Sequence, residues 1–336
     1  RTIARSGFCR HNLTGASLLL LLATAGMLGS VSAAQGASEP PADVGRVYSP
    51  GTLATPRSDA SLSEDSQSLI SRAAVQLAAT PSLEVKLRQQ VQLFGQELSG
   101  PGTYLQKQSP HGLLLRLELK LQVGSQLTSL QQVCDGRFLW IRRDVPSGTS
   151  LGRVDMERIR TAIGERGQPP WPDVTTNWLV MGGLPRLVAA LAENFQFSAP
   201  QAVRSDHAAM WVLDGCWKAD RLAELQPDLK TGPPPGKPID LTRLPAHVPT
   251  QVRVVLGQSD LLPYRIEYRR QPAESAADKS DIARPFVVLE MVELQQRDDL
   301  DERLFIYQPG NQEFTDYTDL YLSSFKLAPQ SDRKPD

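Results

Sequence analysis

Between Gly112 and Gly124 apolar and polar side chains alternate almost without a fault. Leu113, Leu115, Leu117, Leu119, Leu121 and Val123 fall on one parity; Leu114, Arg116, Glu118, Lys120 and Gln122 fall on the other. Side chains of a β-strand point to opposite faces with a period of two, so this run describes a strand with one aliphatic and one wetted face. Leucine is only a middling strand former, and the pattern itself decides the reading. Such a strand belongs to an antiparallel sheet, because buried parallel sheets are apolar on both faces. What covers the aliphatic parity, the chain itself or something it carries, is the functional question.

The start of the chain bears on compartment. Arg1, Arg5 and Arg10 precede an apolar stretch from Ala16 to Leu28, and Val31-Ser32-Ala33 and Ser32-Ala33-Ala34 offer small-residue cleavage sites. This is the pattern of a signal peptide over residues 1–34. The apolar core is shorter than the ~20 residues of a membrane span. The mature chain is expected to be soluble and outside the cytoplasm. The formal net charge of −1 gives no footprint for nucleic acid or a polybasic membrane contact. Cys134 and Cys216 follow the leader, each beside an Asp-Gly pair and so expected near a turn. An oxidising compartment permits a disulfide between them without requiring one.

Residues 35–60 are rich in Ala, Ser, Pro and Gly and read as a disordered linker, as does the tail 328–336. Between them, residues 61–327 read as one domain. Ser61 with Glu64 suggests a capping box for a helix whose apolar face is Leu69, Ile70, Ala73, Ala74 and Leu77, closed by Pro81. Strand-like runs follow from Val85, with turns expected at Gly100-Pro101-Gly102 and at Ser109 to Gly112. Asp135-Gly136 predicts a two-residue hairpin setting Cys134 opposite Arg137, Gln132 opposite Leu139 and Leu130 opposite Ile141. Apolar residues on both of its faces, including Val133, Phe138 and Trp140, predict cover on both sides.

Asp155 is an expected N-cap for a helix carrying Met156, Ile159 and Ile163. Helical signals at Trp178 to Met181 and Leu184 to Leu191 are broken by Gly182-Gly183. Strands resume at Phe195, and Met210 to Leu213 leads into Asp214-Gly215. An amphipathic stretch, Ala219 to Leu225, precedes a Pro-rich loop at 226–249. Further strands are expected at Val252 to Leu256, Leu262 to Tyr268, Phe286 to Leu294 and Leu304 to Tyr307, with a loop over 271–284. Consecutive strands with clustered helices predict a meander rather than βαβ units.

Signals of catalytic chemistry are few. His111, His207 and His247 have no second ligand at metal spacing, and neither a nucleophile elbow nor a phosphate-cradling glycine loop is present. Asp206-His207 reads as a polar pair at a turn, and Asp298, Asp299, Asp301 and Glu302 as a solvated acidic turn. Arg142-Arg143 and Arg269-Arg270 read as sheet-edge or turn charges. The expectation is a non-enzyme without metal or cofactor.

The order of elements resembles that of the periplasmic lipoprotein carrier LolA and its relatives, the lipoprotein receptor LolB and the stress regulator RseB. The residues that carry the resemblance are Val91 to Gly95 with Gly100 to Tyr104, the leucine strand, Val133 to Trp140, and Phe305-Ile306-Tyr307-Gln308-Pro309-Gly310. It spans roughly residues 63–325, and the family is held together by fold more than by motif. The resemblance implies a mainly β (α+β) fold: a strongly curved antiparallel sheet, or incomplete β-barrel, covered by lid helices.

It further implies a lipid or lipoprotein carrier holding acyl chains in the apolar space under the lid. Leu113, Leu115, Leu117, Leu119, Leu121, Leu139 and Ile141 would line that space from the sheet, and Trp178 and Leu187 from the helices. The implied location is the periplasm, the implied partners are lipid or lipoprotein acyl chains with envelope membrane proteins as a further class, and the implied state is a monomer. Three departures stand out: the chain is longer, Gly182-Gly183 interrupts the lid-like helices, and no lid-latching arginine can be matched. Arg116 lies on the polar parity and Arg137 at a hairpin tip. An alternative is an envelope-stress regulator or scaffold that binds a protein segment with the same half-barrel. A third reading is an ordinary β-sandwich whose leucine face its own chain covers.

Overall fold

A computed structural model describes residues 60–93, 96–110, 112–123, 126–166, 182–204, 208–225, 241, 244–245, 248–270, 283–298 and 300–324. Trp178, His111, Asp206-His207, the leader and most of the Pro-rich loop lie outside them. Helix α1 (Ala60–Ala79) leads into strands β1 (Ser82–Leu93), β2 (Gln96–Ser109), β3 (Gly112–Val123), β4 (Gln126–Cys134), β5 (Phe138–Val145) and β6 (Gly148–Asp155). Helices α2 (Met156–Arg166) and α3 (Gly183–Asn194) follow, then β7 (Phe195–Phe197), β8 (Gln201–Arg204), β9 (Ala209–Trp217) and helix α4 (Ala219–Leu225). The chain returns to strand in β10 (Gln251–Gly257), β11 (Pro263–Arg270) and β12 (Arg284–Gln296), and ends with β13 (Thr315–Asp316) and helix α5 (Thr318–Ser324).

All strands join one 13-stranded sheet in the order β13-β6-β5-β4-β3-β2-β1-β12-β11-β10-β9-β7, with β8 beside β9. Neighbours are antiparallel except the short β13–β6 pair. The sheet curves without closing on itself, an incomplete barrel. Strand period two then sorts the side chains. The odd leucines of β3, Leu139 and Ile141 of β5, Val252, Val254 and Leu256 of β10, and Val287, Leu289 and Met291 of β12 share one continuous core on the inner face. A helix period sorts α1 just as cleanly: Ile70, Ala73 and Leu77 are fully buried there.

Glycine explains where the sequence reading fails. The hairpin turn is Gly136-Arg137, not Asp135-Gly136, so Cys134 faces Leu139 and Gln132 faces Ile141. Gly136 takes the positive φ (91°) demanded at the first central position of a type II′ turn. The Asp135 carboxylate accepts from the N–H groups of Arg137 (2.9 Å) and Phe138 (2.7 Å). The slip is by two residues, so every side chain keeps its expected face.

Gly100-Pro101-Gly102 and Asp214-Gly215 are not turns either; they lie inside β2 and β9. A Cβ on Gly102 would stand 2.5 Å from a Leu119 methyl, and one on Gly215 would stand 2.8 Å from the Phe197 ring. These glycines are gaps into which neighbouring side chains pack. Cys216 consequently lies within β9, next to its last residue, and is exposed; Cys134 is buried, and both thiols are free.

Other local expectations divide. Asp155 does cap α2, accepting from the N–H groups of Glu157 (3.0 Å) and Arg158 (3.1 Å). Helix α1 begins at Ala60, which puts Ser61 within its first turn rather than before it. The strand expected at Leu304 to Tyr307 is a 3-10 turn over Glu302–Phe305, capped by Asp301, which accepts from Arg303 N–H at 2.9 Å. It plugs Phe305 into a small outer core with Leu105, Leu114 and Leu300. The β4–β5 hairpin is covered on both faces as expected. Leu139 is fully buried inside, while Trp140 outside stacks on Tyr307 at 5.5 Å and meets Phe314 edge-on at 5.1 Å. Arg153 lies over the Phe138 and Phe314 rings and pairs with Asp316 at 2.9 Å.

Arg269-Arg270 are not edge charges, since β11 lies between β10 and β12. Arg269, Arg265 and Arg253 face outward into a ladder with Glu267, Glu290 and Asp214. Arg270 donates to the carbonyls of Leu244, Pro245 and Val248, fastening the end of the Pro-rich loop to the sheet.

Candidate functional site

The structure brings the leucine parity and two helices together. Leu115, Leu117, Leu119 and Leu121 are 2–4% exposed, and Leu139, Ile141 and Leu187 are equally buried. All belong to one core with Leu184, Val188 and Leu191 of α3 and with the apolar face of α1. Leu113 is half-buried at the margin of this core, and Trp178 lies outside the described residues. The two helices pack against each other. Thus helices, not a second sheet, cover the inner wall.

A short polar chain crosses this apolar interior, which the sequence reading missed. Tyr104 and Gln106 are on β2 and are 1% and 0% exposed. The Tyr104 hydroxyl donates to Gln106 Oε1 (2.9 Å) and accepts from the N–H of Leu184 (3.2 Å) at the start of α3. Gln106 Nε2 donates to the carbonyl of Leu77 (3.1 Å) near the end of α1. One strand therefore ties both helices to the sheet. Burial pushes the Tyr104 phenol well above its usual range, against the opposing pull of the Leu184 N–H, so it stays protonated.

Gly183 permits the approach. Its φ is 72°, and a Cβ there would come within 2.5 Å of the Tyr104 oxygen. Gly182, with φ 123°, precedes it as the N-cap without any side-chain cap. The sequence signal for this contact was present as the Gly182-Gly183 break and as Tyr104 standing two residues from Gly102. It pointed to a helix interruption and gave no partner.

Nothing in this arrangement resembles a nucleophile–base pair. Cys134 is buried among apolar groups, and desolvation pushes its thiol up to about 11, with the Gly136 N–H opposing. Among the described residues no cluster of His, Cys, Asp or Glu is placed to hold a metal ion, and no helix is long and apolar enough to cross a membrane. What the site offers is a large aliphatic wall, a helical cover, and a few hydrogen bonds that join them.

No family model matches the chain, and no curated protein matches it. Solved structures do. A DUF1329 family protein from Desulfovibrio piger is 9% identical, over 73% of this chain and 98% of that one, at a TM-score of 0.32. The lipoprotein LppX of Mycobacterium tuberculosis is 12% identical, over 71% and 99%, at 0.35. A LolA superfamily protein from Nitrosomonas europaea is 14% identical, over 72% and 97%, at 0.23.

Proposed function

We propose that this protein is a non-enzymatic binder and carrier of lipid or lipoprotein acyl chains, working in the periplasm. The observation that supports it is the inner wall itself: an unclosed sheet lined by aliphatic side chains and covered by helices. Magnitudes decide whether such a cover can give way to a ligand. Leu184, Leu187, Val188 and Leu191 bury on the wall at about 1.5–3 kcal/mol each, roughly 6–12 kcal/mol for α3. An acyl chain that buries about 14 methylenes at ~0.8 kcal/mol gains roughly 11 kcal/mol. The two covers are close to balance. Binding would then be an exchange of one apolar cover for another, reversible because neither wins by much.

The test is native mass spectrometry of the protein purified from its own envelope, paired with uptake of a fluorescent fatty acid. Co-purified diacyl lipid or lipoprotein, and saturable uptake that Leu117→Arg or Leu119→Arg abolishes in a variant folded by circular dichroism, are the expected results. An apo mass with no uptake overturns the reading. Capture of a peptide segment in place of lipid would favour the scaffold alternative.

A further inference from the structure

The inner wall is not wholly apolar. Leu139, Ile141 and Arg143 share one parity of β5, and the first two are buried in the core. Arg143 stands opposite Leu130 on β4 and Ser150 on β6, and Leu130 stands opposite Leu119 on β3. A row therefore runs across the wall from Leu119 through Leu130 to Arg143. The arginine read from sequence as an edge charge terminates the leucine surface on its inner side.

Arg143 is half-buried, and its Nε is buried with no hydrogen-bond partner. Among the described residues no carboxylate pairs with it. Asp144, next along β5, points to the outer face, where it pairs with Arg142 and accepts from Ser129 and Thr149. Tyr321 of α5 lies within reach of the Arg143 charge, which draws its phenol back from the rise that burial causes. Tyr317, before α5, fills the space beside Gly152 that a Cβ would occupy. A guanidinium N–H removed from water without an acceptor costs free energy; the Nε atoms of Arg153 and Arg269 share that feature, but each of those side chains pairs with a carboxylate, whereas Arg143 pairs with none among the described residues. The same fork matches the two oxygens of a carboxylate or phosphate.

We infer that Arg143 is the recognition point for the anionic head of an acyl ligand, a carboxylate or phosphate, whose chain lies along the leucine rows. From β5 to β1 the wall extends roughly 19 Å at ~4.8 Å per strand, a span that matches a long acyl chain laid across it in place of the helical cover. This assignment rests on the carrier reading and adds a substrate class to it: acyl chains that end in an oxyanion, in preference to neutral ones.

The experiment compares palmitate, methyl palmitate and inorganic phosphate by titration calorimetry at about pH 8, where the fatty carboxylate is ionised. Wild type is expected to bind palmitate about tenfold or more tighter than methyl palmitate, as a charge-assisted bidentate contact requires. Arg143→Gln is expected to erase that preference, bringing palmitate down to the affinity of methyl palmitate, with a melting temperature no lower than that of wild type; Arg143→Lys should keep part of it. Equal affinity of wild type for palmitate and its ester, or an unaltered preference in Arg143→Gln, overturns the assignment and leaves the carrier reading intact. Phosphate bound as tightly as palmitate assigns Arg143 to a free anion and also overturns it. Failure of wild type to bind either acyl ligand overturns both.

Discussion

Tyr104→Phe removes one oxygen atom and tests whether the polar chain across the core holds the covering helices. The ring stays, so packing is preserved; the loss is confined to hydrogen bonding. Two buried groups are orphaned: Gln106 Oε1 loses its donor, and the N–H of Leu184 loses its acceptor. Each such orphan costs about 1–3 kcal/mol, and with partial relaxation the sum is about 2–4 kcal/mol. With a urea m-value of about 3 kcal/mol/M for a domain of this size, the midpoint should fall by about 1 M.

Location matters as much as magnitude. Hydrogen exchange should quicken at least about tenfold for the amides that open α3, Leu184 first, while the central strands change only by the global loss. A variant within ~0.5 kcal/mol of wild type with unchanged exchange at Leu184 would refute the reasoning. It would mean that apolar packing alone fixes α3 on the wall.

Other outcomes are equally specific. Leu117→Ala, at a 3% exposed position, should lower stability by about 2–5 kcal/mol in equilibrium denaturation, the range for a buried leucine whose site cannot collapse. A thiol-alkylation time course at mild alkaline pH should label Cys216 ahead of Cys134. Cys134 should react only on the timescale of unfolding, since it is buried and its thiol is held at about 11. For Asp316, burial alone would raise the pKa, but hydrogen bonds from Thr318 and Arg153 outweigh it and hold the carboxyl at about 2. Its folded pKa lies below the unfolded one, so its stabilisation is present above about pH 4 and lost as pH falls towards 2. Asp316→Asn should therefore lower the melting temperature at pH 6 and converge with wild type near pH 2, as thermal melts across that window will show.

The legible part of this fold was whatever depends on period. The leucine parity, the α1 face, the Asp155 cap and the two-faced β4–β5 hairpin follow from spacing within one element. Glycine was the weak point, because a glycine marks either a turn or a space filled by someone else. Gly102 and Gly215 belong to the second kind, and their occupants, Leu119 and Phe197, come from other strands that no local window contains. Arg143 was misjudged for a different reason. Its parity with Leu139 and Ile141 was readable, but the adjacent Arg142 made the pair look like surface charge. Tyr104 and Gln106 needed the positions of two helices before their hydroxyl and amide had partners to name.

The gap in the β2–β3 ladder at Gly100-Pro101, beside an unbroken β1–β2 ladder, has a mechanical consequence. There the β2–β3 ladder lapses between the Ser99–Gln122 and Gly102–Leu119 pairs, in a strand near the middle of the sheet. In a closed barrel, strand number and shear together fix the radius, and a change of bore must break hydrogen bonds. A sheet with two free ends obeys no such condition. Its curvature can adjust by flexing where that ladder lacks bonds, so it need not be fixed by the backbone alone and can follow the helices packed on the inner face.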